Sequence, residues 1–236
     1  MKLFKYIGAI FLLLSSSLAL AQADNNPPTN NPQAMLKQVT AATIDQLKAY
    51  KVAHPQQPKV PFNVIYKIVD GELLPHVAKD KMLQSILARQ CVYSTTTQQC
   101  EVLNVRRIPT AQWQDLQQQF IYLLVNMYAS ALADADKYTI TFRNSRQKII
   151  ATPGAEVSIE SHVQMPESDP ISITYQLVYQ DQQWLVYDFS INGSISIVES
   201  LRSQFAPTIQ QQGITGLLTT LKTHNENFTQ QQEKNS

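Results

Sequence analysis

The four histidines of this chain, His54, His76, His162 and His224, are scattered along it, and no two stand at a spacing that would bring both imidazoles to one metal ion. Each reads as a surface residue or as a ring satisfied within the fold. Asp134 and Asp136 lie close together, but at the end of a helical stretch, where two carboxylates make a solvated turn. A hydrolase built on paired carboxylates needs a second acid placed independently of the first. The one close glycine pair, Gly213 and Gly216, lacks the Gly-Lys-Ser/Thr ending of a phosphate-cradling loop, so nucleotide hydrolysis is not expected. No metal site and no cofactor site emerges from these residues. Cys91 and Cys100 are the two cysteines. They could pair with each other or share a metal, but no third or fourth ligand is near in sequence, and His76 is the closest histidine. A structural disulfide closing a small loop is the leading reading.

That reading depends on where the chain goes. Lys2 and Lys5 precede the apolar run Tyr6 to Leu14, and small residues follow, ending Ala19-Leu20-Ala21. This is the pattern of a secretory signal peptide over residues 1–21, with Gln22 as the expected mature start and cleavage after Ala23 as the near alternative. The apolar run falls short of the ~20 residues that span a bilayer, and no later segment is long and apolar enough to do so. With Lys2 and Lys5 removed, the 19 Lys plus Arg and 18 Asp plus Glu of the 236-residue chain come close to balance. A nucleic-acid binder needs a concentrated basic face, so that class of partner is not expected. The remaining length suits one domain.

The elements that must position any site follow from periodicity. Residues 22–33 hold three prolines and no apolar repeat, a flexible leader. Leu36, Val39, Ala42 and Leu47 predict an amphipathic helix over 34–50; short helices follow over 62–77, where the density of Val and Ile also allows a strand, and another over 79–88. The β-branched segment between Cys91 and Cys100 predicts a disulfide-closed hairpin. The strongest helix is 110–134, carrying Trp113, Leu116, Phe120, Leu124, Tyr128 and Leu132 on one apolar face. The period then switches to two, and Tyr138–Phe142, Ala155–Ile159, Ile171–Tyr179 and Trp184–Ile191 predict a meander of about four antiparallel strands. Helices over 195–212 and 214–223, divided at Gly213 and interrupted by Pro207, close the fold. The Gln- and Asn-rich tail 226–236 is expected to be disordered. The fold class is therefore α+β, a curved antiparallel sheet covered on one face by helices, with an apolar pocket expected between the layers.

One segment carries more than periodicity. Trp184-Leu-Val-Tyr-Asp-Phe-Ser-Ile-Asn-Gly-Ser-Ile-Ser-Ile-Val-Glu-Ser-Leu-Arg-Ser-Gln-Phe205, then Gly213-Ile-Thr-Gly-Leu-Leu and Leu221, resembles the MlaC family, also called toluene-tolerance auxiliary proteins. That family shows a Trp-x-Val-Tyr-Asp strand, a Gly-Val/Ile-Ser turn, a Tyr-Arg-Ser-x-Phe helix and a closing Gly-x-x-x-Leu-x-x-x-Leu helix. Gln119-Phe120 through Tyr128-Ala129-Ser130-Ala131-Leu132 is similar to its Phe…Leu…Tyr-Ala-x-Ala-Leu helix, and Leu73-Leu74-Pro75-His76 to its Leu-Pro-His/Tyr segment. The similarity spans 34–225. The family's Phe-Asp after Leu-Pro is here Val77-Ala78, its Leu-Gly-x-Tyr-Trp stretch is replaced by the longer Cys91–Cys100 region, Gly193 and Ser194 share the place of one glycine, and Leu201 stands where tyrosine is common.

The resemblance implies a periplasmic carrier of phospholipid and not an enzyme. Its implied partners are an outer-membrane lipoprotein complex and an inner-membrane ABC transporter with an MCE protein, in a system that maintains envelope lipid asymmetry. On that basis Leu74, Leu124, Tyr128, Leu132, Tyr187, Phe189, Ile195, Ile197 and Val198 are the candidates to line the acyl chains, with Tyr66 near the mouth. Plain core packing is the competing reading for each. Arg202 could meet a phosphate or pair within the fold. Two rivals stand beside the carrier: a periplasmic adaptor or chaperone whose apolar groove takes protein, and an enzyme on an apolar substrate that would depend on Asp188 or His76.

Overall fold

In the computed structural model, which describes residues 30–57, 59–143, 149–166, 168–194 and 196–234, the first helix is started by one side chain. Asn31 Oδ1 accepts hydrogen bonds from the backbone N–H groups of Gln33 and Ala34, each at 3.0 Å. Pro32 takes the first helical position, where its missing N–H is not needed and its fixed φ already suits a helix. The helix α1 thus runs Pro32–Ala53 and begins inside the stretch that the prolines marked as leader. The signal-peptide segment 1–21 and the leader as far as residue 29 lie outside the described residues. After α1, helix α2 (Phe62–Ile68) widens into a π turn (Val69–Leu73) and tightens into a 3-10 turn (Leu74–His76) that includes Pro75.

The remaining elements follow the expected order. They are α3 (Lys79–Leu87), β1 (Cys91–Ser94), β2 (Gln99–Val102), α4 (Thr110–Leu132), β3 (Thr139–Phe142), β4 (Glu156–Gln164), β5 (Ile171–Gln180), β6 (Gln183–Ile191) and α5 (Ile197–Lys234). The chain forms two compact units where its length suggested one domain. The first takes the chain up to Ala78 together with Tyr128–Ser194, and the second takes Lys79–Met127 with Ile195–Ser236.

The first unit is built on the open antiparallel sheet β3-β4-β5-β6. Asp181 and Gln182, both at positive φ, form the two-residue turn joining β5 to β6, the conformation that matches the twist of a tight hairpin. Register places Ile140, Ile159, Val163, Ile173, Tyr175, Leu177, Trp184 and Phe189 on one face, all buried. Ser158, His162, Thr174 and Gln176 occupy the other. The helices of this unit come to the apolar face. Trp184 Nε1 donates to the Asn30 carbonyl at 3.2 Å, the Tyr179 hydroxyl donates to Asn30 Oδ1 at 3.2 Å, and Tyr128 of α4 meets Phe189.

The regular alternation fails once. Gln176 pairs with Asp188 but Leu177 pairs with Val186, so Tyr187 is an extra residue, a β-bulge on β6. Beside it, Val77 bridges Val186, and the Ala78 N–H donates to the Val186 carbonyl at 2.9 Å. Ala78, Val178 and Leu185 make a small apolar cluster on the otherwise polar face, and Tyr187 packs against it.

In the second unit, Cys91 and Cys100 are joined by the expected disulfide across the β1–β2 hairpin. The Asp80 carboxylate of α3 accepts from Trp113 Nε1 at 2.8 Å and Gln117 Nε2 at 2.6 Å, fixing α3 to α4. Helix α5 breaks at Gly213, whose φ of 64° suits glycine, and Val92 Cγ1 lies 3.8 Å from where a Cβ would stand. Beyond the break, α5 continues to Lys234, through most of the tail predicted to be disordered. The anchor is Asn225, buried, which accepts from Asn126 Nδ2 at 2.9 Å and donates to the Gln119 carbonyl at 2.9 Å. No glycine or proline follows to stop the helix, so it propagates past that anchor.

Candidate functional site

Six of the residues predicted to line an apolar site belong to the first unit: Tyr66, Leu74, Tyr128, Leu132, Tyr187 and Phe189. Leu124, Ile197 and Val198 belong to the second, where all three are buried, and Ile195 lies outside the described residues.

Within the first unit, the structure brings Tyr128 and Phe189 together. Their ring centroids are 5.8 Å apart with planes at 65°, the edge-to-face geometry that the ring quadrupoles favour. Leu132, four residues after Tyr128, shares its side of α4 and is buried. Leu74 is buried in the 3-10 turn, and Tyr66 is half-buried on α2 beside Phe62. Tyr187 goes elsewhere. The bulge turns it to the outer face, where its hydroxyl donates to Glu156 Oε2 at 2.8 Å. Burial, with Glu156 as acceptor and neighbouring charge, pushes its phenol up to about 12. Strict alternation alone would have put Tyr187 and Phe189 on one face, and the bulge separates them.

The register also adds residues to the site that the sequence reading assigned only to a strand. Tyr175 lies opposite Phe189, fully buried, with Phe142 at a ring distance of 6.4 Å. Its hydroxyl accepts from Ser161 Oγ at 3.4 Å, and burial pushes the phenol well above its ordinary range. The signal was the period of β5, which sets Tyr175 on the face of Ile173 and Leu177.

Two polar atoms here have no hydrogen-bond partner among the described residues, though both are buried: the Tyr128 hydroxyl and His76 Nδ1. Burial, then the charge of Asp188, raises the Tyr128 phenol far above its usual range. For His76, burial lowers the imidazole and Glu72 opposes it in part. Asp188 Oδ1 accepts from the backbone N–H of Phe189 at 2.8 Å.

The other residues considered for chemistry have structural partners. Asp134 holds Lys137 and Asp136 holds Lys51. Arg202 donates to the Ser85 carbonyl from Nε and Nη2 and pairs with Glu199, while its own carbonyl accepts from Gln90 Nε2 at 2.8 Å. It pairs within the fold, as the second of its two readings had it. Among the described residues, no group of three His, Cys, Asp or Glu side chains could hold a metal ion, and no helix is long and apolar enough to cross a membrane.

The sheet face is thus apolar, aromatic and buried, with the Tyr128 hydroxyl packed against it and without a hydrogen-bond partner among the described residues. A family model described as MlaC protein matches residues 37–223. The chain belongs to the MlaC family. Its fold is that of a phospholipid-binding protein from Ralstonia solanacearum, solved in complex with a phospholipid at 1.53 Å. The TM-score is 0.66 at 22% identity, covering 84% of this chain and 99% of that one. No curated protein matches the chain by sequence. Against the MlaC pattern, Val77 and Ala78 replace Phe-Asp, and in this chain they form the bridge and the apolar cluster at Val186.

Proposed function

We propose that this protein is a carrier of phospholipid in the periplasm, exported by its N-terminal segment and active without chemistry of its own. Membership of the MlaC family over residues 37–223 carries the reading. The fold shared with a phospholipid-binding protein supports it, and so does the aromatic, apolar face around Tyr128, Tyr175 and Phe189. The partners that fit are an outer-membrane lipoprotein complex and an inner-membrane ABC transporter with an MCE protein, between which lipid would move to keep the envelope asymmetric.

The physical need is large. The two acyl chains of a phospholipid hold roughly 30 methylenes, and at ~0.8 kcal/mol each their exposure to water costs on the order of 24 kcal/mol. Unassisted crossing of an aqueous compartment is correspondingly slow. A carrier has only to match the burial a bilayer gives, so that small differences at its partners decide whether lipid enters or leaves.

The test is transfer between two populations of vesicles. A substoichiometric amount of the protein should speed movement of a labelled diacyl phospholipid from donor to acceptor at least tenfold over vesicles alone. A rate equal to the protein-free control would remove the proposal.

A further inference from the structure

Tyr128 packs from α4 against the inner sheet face, and its hydrogen bonding is incomplete among the described residues. On that face Tyr175 accepts from Ser161 and Tyr179 donates to Asn30, and on the outer face Tyr187 donates to Glu156. The Tyr128 hydroxyl is buried and meets no partner among the described residues. Native proteins leave few such groups, because a buried donor without an acceptor loses its bonds to water and gains none in return. The side chain is held against Phe189 by the edge-to-face contact, so its oxygen cannot swing freely to find another acceptor.

The surroundings restrict what could complete it. With its ionisation pushed far up, the phenol keeps its proton at physiological pH and serves as a donor. Asp188 already contributes negative charge, so a carboxylate or phosphate brought to this spot would meet repulsion as well as desolvation. Phe189 and Leu132 make the neighbourhood apolar. The acceptor that fits is neutral and attached to hydrocarbon. In a diacyl phospholipid that group is the ester carbonyl at the head of each acyl chain.

We infer that the Tyr128 hydroxyl donates a hydrogen bond to an acyl-ester carbonyl of the bound lipid and so makes the carrier selective for ester-linked over ether-linked chains. The inference rests on the carrier reading above and adds to it the linkage that is recognised and the residue that recognises it.

The experiment offers the purified, delipidated protein an equimolar mixture of dioleoyl phosphatidylglycerol and its dioleyl ether analogue in vesicles, and quantifies both after re-isolation. The protein should take up the ester about three- to tenfold in preference, the ratio one buried hydrogen bond supports. Tyr128→Phe should bring that ratio near one in whatever lipid it takes up. Full loading of the unaltered protein at a ratio near one would overturn the inference alone, as would a preference that survives Tyr128→Phe. Uptake of neither lipid by the unaltered protein would overturn the carrier reading and this inference with it. Should Tyr128→Phe fail to fold, 3-fluorotyrosine at position 128 decides. Its fluorine resonance should differ between ester-loaded and ether-loaded protein, and identical resonances would contradict the assignment.

Discussion

At the residue scale, four phenols are held above their ordinary ionisation: Tyr128, Tyr138 and Tyr175 by burial above all, and Tyr187 by burial with Glu156, up to about 12. A group whose acid form is favoured in the folded state contributes stability that is complete below its unfolded pKa, here 10.0, and is lost as pH rises through the folded value. The melting temperature should therefore be insensitive to these groups up to pH ~10 and fall steeply above it. Phenolate absorbance should show a fraction of tyrosines that appears only with unfolding. If every tyrosine ionised near pH ~10 while the protein stayed folded, the burial described for Tyr128 and Tyr175 would be wrong. The same residues mark what the sequence could reveal. Period two in β5 put Tyr175 on the inner face, and the 3.6-residue period of α4 put Tyr128 and Leu132 on one side. The side of the sheet to which Tyr187 turns was not legible, because a bulge is a property of two strands paired and leaves no mark in either strand alone.

At the scale of elements, the alternating runs and the helical periods gave the right order and nearly the right bounds. The errors fall where one side chain decides. Pro32 read as a breaker and is a helix starter, because Asn31 caps the turn it opens. The polar tail read as disordered and continues α5, because Asn225 is gripped by Asn126 and Gln119 from α4, a long-range contact no local window contains. The hairpin of β1 and β2 was legible from its cysteines and β-branched residues. Its outer edge is loosely held, with Tyr93 47% and Val102 76% exposed, so the bond between Cys91 and Cys100 carries much of its order. Replacing both cysteines by serine should lower the stability of the purified protein by about 2–3 kcal/mol in urea unfolding, the entropy of a loop this short. Reducing agent should lower the unaltered protein to the same midpoint and leave the double variant unmoved. A double variant as stable as the parent would show that the hairpin is held by its packing on α5 around Gly213 and Val92.

At the scale of the whole molecule, composition and charge gave expectations of what the chain would lack, and the family resemblance is what pointed towards phospholipid. The division of the chain into two units was not legible, because α4 is one continuous helix whose residues serve both. The division bears on the lining candidates. Tyr128 and Phe189 are joined within the first unit, whereas Leu124, Ile197 and Val198 are buried in the second. The inner sheet face of the first unit is apolar and aromatic, and the Tyr128 hydroxyl packed against it lacks a hydrogen-bond partner among the described residues. The most direct measurement is native mass spectrometry of the protein taken from a periplasmic extract, followed by release and identification of what it carries. The account predicts intact diacyl phospholipid, about one molecule per chain, with ester-linked acyl groups. Protein that arrives empty and takes up no phospholipid from vesicles would contradict it, and co-purifying peptide in place of lipid would make the apolar face a groove for protein.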